Sequence, residues 1–212
     1  MKKNIRKNKA QLVFDAHEYV PIEWENRWYW RLNVGAIPDR KLETMIKAPA
    51  LCDQRYSLHF MFVNPDSSYT RHLKNLADER APGRVTFHEP VTPTEIIQRI
   101  SAYDIGFYLL EPNSYNNRVA LPNKLFDFIA AGLAVCVGPS PAMAELVRQH
   151  HCGCVAPSFA PGDVAETLNH LSVDQLAAMQ HASREAAQQY NASREMEKVI
   201  ELYRQLFTEK GH

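Results

Sequence analysis

Pro122, Asn123 and Lys124 open an apolar helical run that carries Asp127 one turn in and stops at Gly132. A helix that serves only the core needs neither the lysine nor the acid. The free N–H groups and positive dipole end of a helix start favour an anion. A lysine in the first turn therefore sits where the dipole disfavours it, and a phosphate held at the helix start reconciles the two. Asn123 and Lys124 share that first turn. Asp127 stands three residues after Lys124, on the same side of the helix. A carboxylate just beyond a phosphate site can accept hydrogen bonds from two ribose hydroxyls, as acids do in dinucleotide folds. The plainer alternatives are a solvated surface lysine and a simple i,i+3 ion pair between Lys124 and Asp127.

Two further stretches offer ligand groups. In "NVGAIPDRKLE", Gly35 permits close backbone approach, Asp39 suits a helix cap, and Arg40 in the first turn could grip a diphosphate with both ends of its guanidinium. A purely structural turn fits the same residues. In "GPSPAM", Ser140 either caps the following helix or offers its hydroxyl and N–H to a ligand. "HHCGC", ending at Cys154, has the residue types of a metal cluster. Its Cys-Gly-Cys spacing is tighter than zinc sites use, however, and no second ligand pair follows. The stretch reads instead as a turn at Gly153 leading into a short strand, and no metal site is expected.

The elements that must position these groups alternate regularly. Short apolar runs ("QLVFDA", "SLHFMFV", "RVTFHEPV", "DIGFYLL", "LAVCVG") read as strands. Between them lie helical patterns: "DRKLETMIKA", "SSYTRHLKNLADE" with Ser67 or Ser68 as cap, and "TPTEIIQRISAY" with Thr92, Pro93 and Glu95 as a capping box. The helix after Pro122 and "PAMAELVRQH" continue the pattern. From about Pro161 the chain reads as helical, ending in an amphipathic helix marked by Met196, Val199, Ile200, Tyr203 and Leu206. Such alternation, with continuously apolar strands, predicts an α/β fold: a doubly wound, Rossmann-like parallel sheet with C-terminal helices. Ligands of such folds sit beyond the carboxyl ends of the strands. The polar, Asn- and Pro-rich loop over 108–125 is predicted at such an end, and its length marks it as functional.

The bulk properties exclude several classes. Lys plus Arg equals Asp plus Glu at 24 each, so the net charge is zero and no nucleic-acid partner is expected. The basic start, "MKKNIRKNKA", reads as a solvated tail and not a signal peptide, because the apolar residues after it break at Asp15. No run approaches the ~18 apolar residues of a membrane span. The spacing of Cys52, Cys136, Cys152 and Cys154 fits no disulfide framework, which makes the cytoplasm the expected location.

"ALPNKLFDFIAAGLAVCVGPSPAMAELV", preceded by "DIGFYLL", resembles the donor-binding half of GT-B glycosyltransferases of the group 1, family 4-like type. Those enzymes have two Rossmann-like domains, with a nucleotide sugar bound by the C-terminal one. The family's acid-then-glycine pattern is matched by Asp127, Gly132, Ala134 and Val135, with aspartate in place of the usual glutamate. The earlier acid of the common two-glutamate motif falls at Val119 and is absent. "GAIPDRKLETMI" resembles the domain's first loop, which gives Arg40 the diphosphate-binding role. "VFDAHEYVPIEWENRWYW" resembles a piece of the N-terminal domain, with His17 at the position that faces the reacting sugar or acceptor.

The resemblance implies a remnant of the acceptor domain over 1–32, a nucleotide-sugar-binding domain over 33–207 and a tail over 208–212. It implies an enzyme that transfers sugar, with retention, from a UDP- or GDP-sugar to an unknown acceptor, with no further cofactor. His17 would be catalytic, and Gly35, Arg40, Asn123, Lys124, Asp127 and Ser140 would bind the donor. Two other readings stand beside it. One is a non-catalytic donor-domain remnant or partner subunit, forming a homodimer or joining another chain through the aromatic run 24–30. The other is a doubly wound binder with no sugar chemistry.

Overall fold

A computed structural model describes residues 10–15, 42–62 and 66–190. His17, Gly35, Arg40, the aromatic run 24–30 and the helix predicted over 196–206 lie outside the described residues. Six parallel strands are present among the described residues: β1 (Ala10–Asp15), β2 (Tyr56–Met61), β3 (Val85–His88), β4 (Ile105–Tyr108), β5 (Ala134–Val137) and β6 (Gly153–Val155). They pair in the order β3-β2-β1-β4-β5-β6. The sheet therefore runs outward in both directions from β1 and β4. That pair is its topological switch point, where doubly wound folds bind ligands.

This order corrects one expectation. The sequence resemblance places the strand at Ala10–Asp15 in a remnant of a separate domain, yet it lies at the centre of the sheet. It pairs with β2 along all six residues and with β4 at Leu12 and Val13. The physical reason is burial. Leu12 and Val13 have no exposed surface, and strands that apolar need cover on both faces.

Helices fill the connections. Helix α1 (Leu42–Leu51) buries Leu42, Met45 and Ile46 along one face, as their spacing predicts. Helix α2 (Ser68–Arg80) is capped by Ser67, whose hydroxyl accepts from the Thr70 N–H at 3.0 Å. A 3₁₀ turn at Pro93–Glu95 leads into α3 (Ile96–Ile100), and the Glu95 carboxylate accepts from the Thr92 N–H and hydroxyl. The long loop after β4 contains a short helix that the sequence pattern did not suggest, α4 (Tyr115–Val119), capped by Ser114. It is followed by α5 (Asn123–Ala130), α6 (Pro141–His150), α7 (Pro161–Asn169) and α8 (Val173–Ala187). Helix α1 packs against α2 and α7, and α5 packs against α3 and α8. Right-handed crossovers on either side of the switch place these two groups on opposite faces.

A polar cluster breaks the apolar pattern near the β3 edge. His59 Nδ1 and His88 Nε2 stand 2.9 Å apart, the Tyr103 hydroxyl lies 3.3 Å from His88 Nε2, and the Ser57 hydroxyl lies 3.0 Å from His59 Nε2. Gln11 on β1 approaches His59, and Arg99 on α3 adds positive charge beside His88 and Tyr103. Burial, followed by the proximity of His88, pushes His59 down from 6.5 to about 4. Burial and then Arg99 push His88 down as well.

The unfolded chain therefore binds more protons than the folded one between pH 6.5 and about 4. Stability should fall as pH drops through that window. The ring is only half-buried, so a loss on the order of 1–2 kcal/mol is expected from this residue. Urea denaturation at neutral pH and near pH 5 measures it. His59→Gln should flatten the dependence, and an unchanged slope in that variant would refute the assignment.

Candidate functional site

The site is built at the carboxyl end of β4, beside the β1–β4 switch. The last residue of β4, Tyr108, is buried, and the chain continues through buried Leu109 and Leu110 into the loop that ends at α5. Helix α5 starts without a side-chain cap, because its N-cap residue is Pro122. Proline has no side-chain acceptor for the first-turn N–H groups, so these point outward with the positive end of the dipole. At the other end, Gly132 adopts φ +70°, and the Leu133 N–H returns to the Phe128 carbonyl at 3.0 Å. This glycine-terminated ending reverses the chain into β5.

Lys124 is only 6% exposed. A solvated surface lysine is thereby excluded. Its ammonium lies over the Tyr108 ring, 6.0 Å from the ring centroid, at the outer reach of a cation–π contact. A lysine held this deep in the first turn of a helix works against both desolvation and the dipole. Asn123 beside it is exposed, and Asp127 one turn on is half-buried. The structure thus brings Asn123, Lys124 and Asp127 together on one short helix.

Ser140 is placed differently from either expectation. It stands at the N-cap position of α6, but its side chain makes no capping bond. The hydroxyl instead donates to the Leu110 carbonyl, and its N–H donates to Gly138 O at 2.8 Å. Fully buried, Ser140 fastens the β5–α6 turn to the chain leaving β4. It is a brace beneath the site. Beside it, a methyl group on Gly138 would stand 2.2 Å from the Phe159 ring, so the loop after β6 closes tightly on this turn.

Two supports escaped the sequence reading. Tyr108 carries the lysine, and the hint was a hydroxyl-bearing aromatic closing an otherwise wholly apolar strand. Gly106 lets α5 approach the sheet, since a methyl group there would stand 2.2 Å from Phe128 Cγ. A lone glycine inside a buried strand is the signal for such an approach. Among the described residues, no group of three His, Cys, Asp or Glu side chains could hold a metal ion, and no helix is long and apolar enough to cross a membrane.

The family profile described as "Glycosyl transferases group 1" matches residues 31–174. This chain belongs to that family. The matched span contains Gly35, Arg40, Lys124, Asp127 and Ser140, and it leaves out His17. No curated protein sequence matches the chain.

Solved structures agree on the fold. Sucrose-phosphate synthase from Thermosynechococcus elongatus superposes with a TM-score of 0.69 at 18% identity, over 97% of this chain and 47% of its own. HepE from Anabaena, solved with UDP and glucose, gives 0.68 at 14% identity, over 93% and 49%. The C-terminal domain of LpcC, a glycosyl transferase group 1 family protein from Francisella tularensis, gives 0.61 at 11% identity, over 86% and 85%. This group 1 chain therefore has the Rossmann-like fold of one GT-B half. It spans about half the length of the longer proteins it matches.

Proposed function

We propose that this chain is the nucleotide-sugar-binding half of a glycosyltransferase. The observation that carries the reading is the burial of Lys124 at the uncapped start of α5, beside the switch point of a group 1 fold. The first-turn N–H groups and Lys124 would hold the donor diphosphate, with Asn123 at the same turn. Asp127 would take the ribose hydroxyls, and Ser140 would fix the floor beneath them. Gly35 and Arg40 would complete the phosphate grip, and His17 would face the sugar or acceptor. During transfer the bond from the sugar's anomeric carbon to the diphosphate breaks, and one to the acceptor oxygen forms. The acceptor's proton leaves toward the departing phosphate. Fixed positive charge at the leaving group is the largest help a protein can give this step. Retention of configuration and the cytoplasm as location belong to the same proposal.

A UDP-sugar is the first donor to test, because HepE was solved with UDP-glucose. GDP is the second. Calorimetric titration of the full chain with each diphosphate should show saturable binding to one of them. Binding accompanied by sugar transfer supports the enzyme. Binding that gains turnover only when a second polypeptide is added supports a partner subunit. No affinity for either diphosphate rejects the donor site.

A further inference from the structure

Cys136 and Cys154 face each other across β5 and β6. They are register partners in this parallel pair, and the two thiols are near neighbours. Neighbouring strands lie ~4.8 Å apart, within the ~4.4–6.8 Å between Cα atoms that a disulfide spans. Gly153 makes this approach possible, since a methyl group there would stand 1.8 Å from the Val135 carbonyl oxygen. The two thiols differ in access. Cys136 is fully buried, whereas Cys154, on the last strand of the sheet, is half-buried. Cys52 lies under the same face, and Cys152 is buried at the start of β6.

We propose that Cys154 and Cys136 form a peroxide-responsive thiol pair, with Cys154 as the attacking sulfur and Cys136 as the resolving one. Hydrogen peroxide is the oxidant. The Cys154 sulfur takes one peroxide oxygen to become sulfenic acid and releases water. The Cys136 sulfur then displaces the hydroxyl group, the S–S bond forms, and the Cys136 proton leaves with that hydroxyl as a second water. Contact with Cys154, and then burial, hold the Cys136 thiol well above its ordinary value, so it does not start the reaction. Opposed side chains in parallel strands run side by side and do not converge. The bond is therefore strained and readily reduced, as regulatory disulfides are. When formed, it staples the edge strand β6 to the sheet.

The test uses the reduced full chain. It is treated with a small excess of peroxide, quenched in acid, denatured and alkylated. Alkylatable thiols should fall from the four of the sequence to two. The unalkylated protein should be lighter by two hydrogen atoms, and peptide mapping should link Cys136 to Cys154. A thiol reductant should restore all four. Cys52→Ser and Cys152→Ser should keep the link, and Cys154→Ser should lose it. A link through Cys52 or Cys152 would overturn the assignment. So would oxygen added at Cys154 without a link, or four thiols surviving peroxide that oxidises a free cysteine in solution.

Discussion

Lys124→Met is expected to weaken diphosphate binding by roughly 10- to 100-fold while costing the fold less stability than Lys124→Ala does. A hydrogen bond to a charged group contributes about 1.5–3 kcal/mol, which sets that range. Methionine occupies much the same buried volume as the lysine stem, so packing is kept. It also removes a cation from a site 6% exposed and from the positive end of α5, both of which oppose it. Lys124→Ala should weaken binding as much but lose more stability, because it leaves the space above Tyr108 unfilled. Calorimetric titration reads the affinity, and urea denaturation reads the stability. The contrast separates the two roles the lysine could have. If Lys124→Met loses several kcal/mol of stability and still binds, the lysine is a structural strut and the site lies elsewhere.

Much of this site was legible because it rests on local chemistry. Pro122, Lys124, Asp127 and Gly132 lie within eleven residues, and the rules for helix starts and stops apply to them directly. The strand pattern was legible for the same reason, since β4 and β5 are short unbroken apolar runs and the other strands carry apolar residues at half or more of their positions. What escaped depends on contacts between distant segments. Ser140 looks like a cap from its neighbours, yet its hydroxyl turns to Leu110, thirty residues earlier. Tyr108 and Gly106 act only once α5 has folded back onto β4. The place of β1 was misjudged because a motif after it resembled another domain, while its pairing with β2 and β4 is decided by residues far along the chain. Helix α4 was hidden inside a loop whose polar composition fits a turn as well as one helical turn.

Gly106→Ala should have the largest effect of any single methyl group in this region. The added carbon would stand 2.2 Å from Phe128 Cγ and 2.4 Å from Cδ2, whereas carbons pack at about 3.5–4.0 Å. More than an ångström must be found. Phe128 is fully buried and Gly106 sits in a strand bonded on both sides, to β1 and β5. The strand cannot retreat, so α5 must move outward and carry Lys124 and Asp127 with it. Overpacking of this kind costs about 1–3 kcal/mol, and the rigid surroundings place this case at the upper end. Diphosphate affinity should fall with stability, because the helix start would no longer sit over Tyr108. Phe128→Leu supplies the control. It should destabilise the native chain by itself but recover part of the loss in the Gly106→Ala background, giving a coupling energy of about 1 kcal/mol or more in a double-mutant cycle. If the two losses simply add, the helix is not seated on this glycine. The close approach of α5 to β4 would then need another cause.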